Sequence, residues 1–163
     1  MLLRRCKKIK VKIMDNAYSI RLSCEDDFDA IEEIEHQVFS NPWPPEAFSR
    51  MLFPWAFTLL YGKEVIGYIF YCGVKEEMVI VNFAVKPDFQ GKGLGEYLLT
   101  ETMRMMNKNG VQRFYLDVRI SNYKARRLYE KVGFQEIGIR KQYYNNPDED
   151  ALVMGMEFND IRV

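Results

Sequence analysis

The chain is poor in the residues that build disulfide and metal frameworks: three cysteines, Cys6, Cys24 and Cys72, and one histidine, His36, in 163 residues. No two cysteines stand in CxxC spacing, so a Cys/His zinc site has no support, and isolated thiols suit a reducing compartment. Charge of one sign is also lacking. The 23 Lys and Arg are balanced by 23 Asp and Glu, which leaves no global field to draw the chain to nucleic acid or a lipid surface. No apolar run reaches the roughly 18 residues a membrane span needs, and no signal-peptide core follows the basic start. The expectation is a cytoplasmic protein with no metal, no nucleic-acid partner and no membrane contact. Its oligomeric state is left open. The length suffices for one domain that buries its own core.

Residues 1–13, MLLRRCKKIKVKI, carry six basic side chains and no acid. A solvated tail or a misread start ahead of Met14 suits them better than a nucleic-acid arm, so the domain is expected over 14–163. From there strand-like and helix-like segments alternate. Tyr18–Leu22 reads as a short strand, and Ser23 sits where an N-cap should, with Asp26 three residues on. Phe28, Ile31, Ile34 and Val38 follow at helical spacing with an acidic outer face. Asn41-Pro42-Trp43 turns into a short helix opened by Pro44-Pro45. Phe57–Tyr61 and Val65–Cys72 read as strands joined at Gly62-Lys63, and Met78–Val85 as a third. A helix with Leu94, Leu98, Thr102, Met105 and Met106 inward runs to about Asn109, closed by Gly110. Phe114–Val118 is the next strand. A helix over Asn122–Val132 follows, with Ala125, Leu128, Tyr129 and Val132 on one stripe. Two last strands, near Phe134–Tyr143 and Ala151–Phe158, flank the turn Asn145-Asn146-Pro147.

Between the third strand and its following helix stands Gln90-Gly91-Lys92-Gly93-Leu94-Gly95. Glycine is unfavourable inside helices, so three in six residues mark backbone that turns sharply or is approached closely. A dinucleotide fingerprint fails because its last glycine would fall at Glu96, and a P-loop fails because no Gly-Lys-Ser/Thr follows. What remains is Gln-x-x-Gly-x-Gly at a helix start, where N–H groups and the positive dipole end suit a pyrophosphate and Lys92 adds a cation.

This motif resembles the acetyl-CoA loop of the GNAT N-acetyltransferases, and the resemblance extends from about Ile20 to Phe158. The wording is closest to the bacterial ribosomal-protein alanine N-acetyltransferases. It rests on Phe39-x-x-Pro42-Trp43, on Asn82 to Gln90, on Leu116-Asp117-Val118-Arg119-x-Ser121-Asn122, on Leu128-Tyr129-Glu130-x-x-Gly133-Phe134, and on Arg140-x-x-Tyr143-Tyr144. The resemblance implies an α/β (α+β) fold: a mixed, mostly antiparallel, splayed sheet of about six to seven strands flanked by about four helices. It also implies acetyl-CoA as cosubstrate and a ribosomal-protein N-terminus as acceptor.

By the same resemblance, Phe83, Ala84 and Val85 contact the pantetheine arm and the thioester oxygen, with the Val85 N–H as oxyanion donor. Gln90, Gly91, Lys92, Gly93, Leu94, Gly95 and Glu96 take the pyrophosphate, Asn122 holds the pantetheine arm, and Tyr129 is the general acid. Tyr129 also lies on an apolar stripe, where it could be ordinary core. Trp43, Arg140, Tyr143 and Tyr144 would line the peptide groove, although aromatics in such places also serve as core lids. The chain departs from the family at the base, because Asp117 stands where these enzymes carry glutamate. The reach shortens by roughly 1.5 Å, so Asp117 could act through water, orient the acceptor, or cap the following helix. Glu76 and Glu77 read as a solvated charge pair at a hairpin turn. Two other readings stay open: a GNAT enzyme for a small amine such as a polyamine or antibiotic, and a non-catalytic acyl-CoA-binding regulatory module.

Overall fold

The fold was described from a computed structural model covering residues 17–50 and 55–161. The basic segment 1–13 lies outside the described residues. The elements run β1 (Tyr18–Leu22), α1 (Phe28–Val38), α2 (Pro45–Arg50), β2 (Trp55–Tyr61), β3 (Glu64–Val74), β4 (Glu77–Val85), α3 (Leu94–Asn107), β5 (Arg113–Arg119), α4 (Tyr123–Val132), β6 (Gln135–Tyr144) and β7 (Glu149–Glu157). Strand order is β1-β2-β3-β4-β5-β7-β6. The β1–β2, β2–β3, β5–β7 and β6–β7 pairs are antiparallel, and β4–β5 is parallel. The sheet is therefore mixed and mostly antiparallel, as expected. The parallel β4–β5 pair needs a crossover, which α3 supplies. The parallel register covers only Glu77–Arg113 to Ile80–Leu116.

The described chain forms two compact units. The first contains the chain up to Tyr71 together with Asn82–Leu98. Its core is aromatic and branched: Ile20, Ile31, Phe57, Leu59, Ile66 and Ile69 are each at most 1% exposed. The second contains Cys72–Val81 and Leu99 onward. There the strand alternation is strict. Phe114, Leu116 and Val118 of β5 stand opposite Met156, Met154 and Leu152 of β7, and all six are buried. The intervening residues of β5 are half-buried. The edge strand β6 leaves Ile137 and Ile139 more than half exposed and is bulged on both sides of its middle, which discourages further strand pairing.

Several local expectations shift. Ser23 is not the N-cap; its hydroxyl pairs with Thr58 Oγ1 at 2.7 Å. Cys24 starts a 3-10 turn over Glu25–Asp27, and Asp27, not Asp26, accepts from the Cys24 N–H at 2.9 Å. On α3, Leu99 and Met103 join the core and Met105 is only half-buried. That helix stops at Asn107, and Gly110, at φ 94°, lies in the turn beyond it. Nor is the α1 outer face uniformly acidic, because Glu35 is 1% exposed. Glu76 and Glu77 are half-exposed partners of Arg113, at 3.8 and 3.0 Å.

Asp27 is a buried carboxyl of the first unit held by several hydrogen bonds. Arg21 grips it through both guanidinium nitrogens, at 2.6 and 2.7 Å. Burial pushes its proton affinity up, but hydrogen bonds from Arg21 and Cys24 outweigh burial and hold it below the usual carboxylate range. A depressed folded-state pKa contributes stability that is present above the unfolded value of about 3.9 and is lost as pH falls through the folded value. Asp27→Asn should therefore cost about 3 kcal/mol in urea unfolding at neutral pH, because the Arg21 charge loses the carboxylate that its guanidinium grips. The gap to the parent should close as pH drops below about 4.

Candidate active site

In the first unit the site is built from the end of β4, the turn after it and the start of α3. Phe83 is half-buried, whereas Ala84 and Val85 are buried. Pro87–Phe89 forms a 3-10 turn, and Gln90 then reaches back so that its Nε2 donates to the Val85 carbonyl at 2.8 Å. Gln90 thus clasps the loop to the strand. Gly91 and Gly93 have φ of 72° and 76°, the left-handed region that costs any residue with a Cβ. A Cβ built at either would meet nothing within 4 Å. Backbone conformation therefore demands these glycines, and the space beside them is open.

The Tyr97 N–H donates to the Gly93 carbonyl at 3.0 Å, so α3 begins here with its first N–H groups beyond the reach of intrahelical carbonyls. This open, left-handed turn at a helix N-terminus fits a pyrophosphate. Lys92 folds back on the preceding turn. Its Nζ donates to the Asp88 carbonyl at 3.0 Å and lies 5.2 Å from the Phe89 ring centroid. Leu94 is buried, while Gly95 and Glu96 are half-buried in the first turn of α3. Trp43, on the α1–α2 connection of the same unit, is half-buried, its ring 5.9 Å from that of Phe48.

In the second unit β5 and the β6–β7 turn gather the other candidates. Asp117 Oδ1 accepts from Arg140 Nε at 3.1 Å, and the guanidinium lies 5.7 Å from the Tyr143 ring centroid. Tyr143 and Tyr144 meet edge to face at 5.0 Å. Burial, then the nearby Asp117 charge, pushes the Tyr144 phenol up to about 12. Tyr129 stands on α4, 8% exposed, its ring against Phe134 at 5.7 Å. Burial, with Tyr144 second, raises its phenol well above the ordinary tyrosine range. Asn122 is the N-cap of α4, with its Oδ1 accepting from the Ala125 N–H at 3.2 Å. That leaves its amide N–H₂ for a ligand.

Sequence reasoning gave no role to Arg119, yet it organises the whole turn. Its guanidinium donates to the Asn145 and Pro147 carbonyls, both at 2.9 Å, and lies 4.5 Å from the Tyr144 ring centroid. It also pairs with Glu149 at 3.6 Å. Glu149 in turn accepts from the Ser121 N–H and hydroxyl at 2.7 and 2.8 Å, which holds its carboxyl below the usual range. Arginine's five-donor fork allows this. The available signal was the placement of Arg119 two residues beyond Asp117, on one strand face. Among the described residues no three His, Cys, Asp or Glu side chains cluster as a metal site, and no helix is long and apolar enough to cross a membrane.

The mixed, mostly antiparallel sheet is the architecture that the acetyltransferase resemblance implies. Residues 28–134 match the Acetyltransferase (GNAT) family, and the chain belongs to it. Among its relatives is the ribosomal protein bS18-alanine N-acetyltransferase of Haemophilus influenzae, 37% identical over 139 residues, covering 78% of this chain and 90% of that protein. The enzyme of the same name from Escherichia coli K12 is 35% identical over 137 residues, covering 80% and 90%. The crystal structure of the ribosomal-protein-S18-alanine N-acetyltransferase from Escherichia coli superposes with TM-score 0.81 at 32% identity, covering 86% of this chain and 94% of that one.

Arg119→Lys keeps the charge but cannot span two carbonyls and a ring. It should lower stability by about 1 kcal/mol and speed amide exchange across Tyr144–Glu149, with α1 and β1 unchanged.

Proposed function

We propose that this chain acetylates the N-terminal alanine of ribosomal protein bS18, with acetyl-CoA as donor. The observation that carries the reading is the coincidence of this chain with nine-tenths of the length of the Haemophilus and Escherichia enzymes of that name. Each group of residues described above then has work to do.

Acetyl-CoA supplies an acetyl group activated as a thioester. The acceptor's α-amine nitrogen forms a bond to the carbonyl carbon, the C–S bond breaks, the amine gives up a proton, and the departing sulfur takes one. The Val85 N–H donates to the carbonyl oxygen as it gathers charge. The turn from Gly91 to Glu96 holds the pyrophosphate with backbone N–H groups and the α3 dipole, and Asn122 donates to the pantetheine arm. Trp43, Arg140, Tyr143 and Tyr144 seat the acceptor terminus.

Tyr129 gives its proton to the sulfur. Its raised pKa keeps it protonated across the working range, and the arriving negative charge draws the proton once sulfur and phenol are close. Asp117 receives the amine proton through a water. Its shorter side chain and the Arg140 contact at 3.1 Å favour a relay over direct contact. An α-amine of pKa about 8 needs only such weak help.

The test is release of CoA thiol with three acceptors: an Ala-Arg hexapeptide, the same peptide blocked at its N-terminus, and spermidine. Turnover only with the free terminus is expected. Turnover with spermidine alone would transfer the assignment to small amines, and acetyl-CoA binding without turnover to a regulatory module. Tyr129→Phe should lower kcat by about 100-fold with acetyl-CoA binding retained. In the parent, kcat/KM should rise with pH toward about 8 as the amine loses its proton. No falling limb is expected below pH about 10, since Tyr129 loses its own proton only above the ordinary tyrosine range.

A further inference from the structure

Glu35 is out of place for an acid on a solvent-facing helix. Its neighbour Glu33 is exposed, yet Glu35 is 1% exposed, and three donors converge on its carboxyl. Oε1 accepts from the Trp43 backbone N–H at 3.0 Å. Oε2 accepts from Asn82 Nδ2 at 3.1 Å and from the Tyr68 hydroxyl. Burial, with the adjacent Glu35 second, keeps the Tyr68 phenol protonated and so able to donate. The Tyr68 oxygen also lies 3.3 Å from Asn82 Oδ1, closing the group. The Glu35 main-chain carbonyl takes the Phe39 N–H at 2.9 Å, so both ends of this residue hold the segment that leaves α1.

A core position has no need of a carboxyl: an apolar side chain fills space without the cost of removing an acid from water. What a carboxyl can do is join three donors from three different segments. Here they are the Trp43 turn, β3 through Tyr68, and β4 through Asn82. Asn82 immediately precedes Phe83–Val85, the strand segment assigned to the thioester. Trp43 belongs to the acceptor side. All four residues lie in the first unit.

We propose that Glu35 is a positioning residue, fastening the Trp43 turn to the end of β4 and so fixing the acceptor seat against the strand that polarises the thioester. The inference rests on the acetyl-transfer reading above. It predicts a split between substrates: loss of the carboxyl should loosen the peptide seat and leave the Gly91–Glu96 turn untouched. General loosening of the fold would affect both alike.

The experiment uses a Trp55→Phe background, which leaves Trp43 as the sole tryptophan of the two in the chain. Glu35→Ala should raise the peptide KM about 10-fold while the acetyl-CoA KM stays within about 2-fold, and acrylamide quenching of Trp43 should roughly double. Glu35→Gln should raise the peptide KM by less than Glu35→Ala does, because its carbonyl can still accept from Trp43 N–H, whereas its N–H₂ cannot accept from Asn82 Nδ2 and the Tyr68 hydroxyl must turn to Asn82 Oδ1. Equal KM values in parent and Glu35→Ala, or equal rises for both substrates, would overturn the proposal. Should Glu35→Ala not fold, Trp43 amide exchange in the parent decides: protection supports the anchor, and exchange at the rate of an open turn removes it. Absence of any peptide turnover by the parent would sink the acetyl-transfer reading instead, with quenching and exchange still judging the anchor.

Discussion

The chain leaves β4 at Val85 and must begin α3 at Leu94, and everything assigned to the donor side depends on how it makes that passage. Two left-handed residues, Gly91 and Gly93, make it possible. Any other residue would bring a Cβ into conflict with its own backbone, although the surroundings have room for one. The constraint is thus local and conformational rather than a matter of packing. Its consequence is electrostatic: the turn presents N–H groups beside the positive end of α3, so an anion is met by oriented dipoles with no reorganisation left to perform. Gln90 completes the device by tying the turn to the Val85 carbonyl. The strand end proposed to polarise the thioester and the loop proposed to hold the pyrophosphate are therefore one braced piece of backbone.

The second unit solves a different problem, which is keeping protons where they are wanted. Tyr144 is pushed up to about 12 and Tyr129 is raised beyond the ordinary range, chiefly by burial. Both phenols are then protonated wherever a peptide amine has begun to lose its own proton. A raised phenol pKa makes donation to a thiolate of pKa about 8.5 look uphill. In the proposed reaction a sulfur brought against Tyr129 would share its desolvation, so the two proton affinities would rise together and their difference would change little. Arg119 works against the rise at Tyr144, since its positive charge lies against the ring, while its donors are taken up by the Asn145 and Pro147 carbonyls.

Much of this was legible in the sequence, for reasons that can be traced. Strand and helix order followed from periodicity, since alternation along β5 and β7 is dictated by one buried face. The glycine turn was legible because only special backbone calls for such residues. Long-range choices among similar local signals were not legible. Ser23 and Cys24 are both plausible caps, and the decision falls to Asp27, whose partner Arg21 lies on the preceding strand. On a helical wheel Glu35 falls one turn after Ile31, beside the apolar stripe, which sets it apart from the exposed Glu33. What the wheel does not show is that Tyr68 and Asn82 arrive from distant strands to bond it. Arg119 likewise acquires its role from a turn that comes 26 to 28 residues later in the chain.

The aspartate at position 117 bears on which amines the proposed reaction can use. A carboxyl one methylene short of the family's glutamate, and bonded to Arg140 at 3.1 Å, is a weak aid to deprotonation. At pH 7 an α-amine of pKa about 8 is roughly one-tenth neutral, whereas a lysine amine of pKa about 10.4 is neutral in only about one molecule in 2,500. With a strong base both could react, and selectivity would fall wholly on the shape of the seat. With a relayed, weak base the lysine suffers a disadvantage of about two to three powers of ten before any contact is made. If Asp117 is the proposed relay base, its shorter side chain acts as a chemical filter for chain termini. In the proposed reading, discrimination between one N-terminal residue and another falls to Trp43, Tyr143 and Tyr144: Trp43 is tied to Glu35, Tyr144 lies against Arg119, and Tyr143 lies against the Arg140 that bonds Asp117.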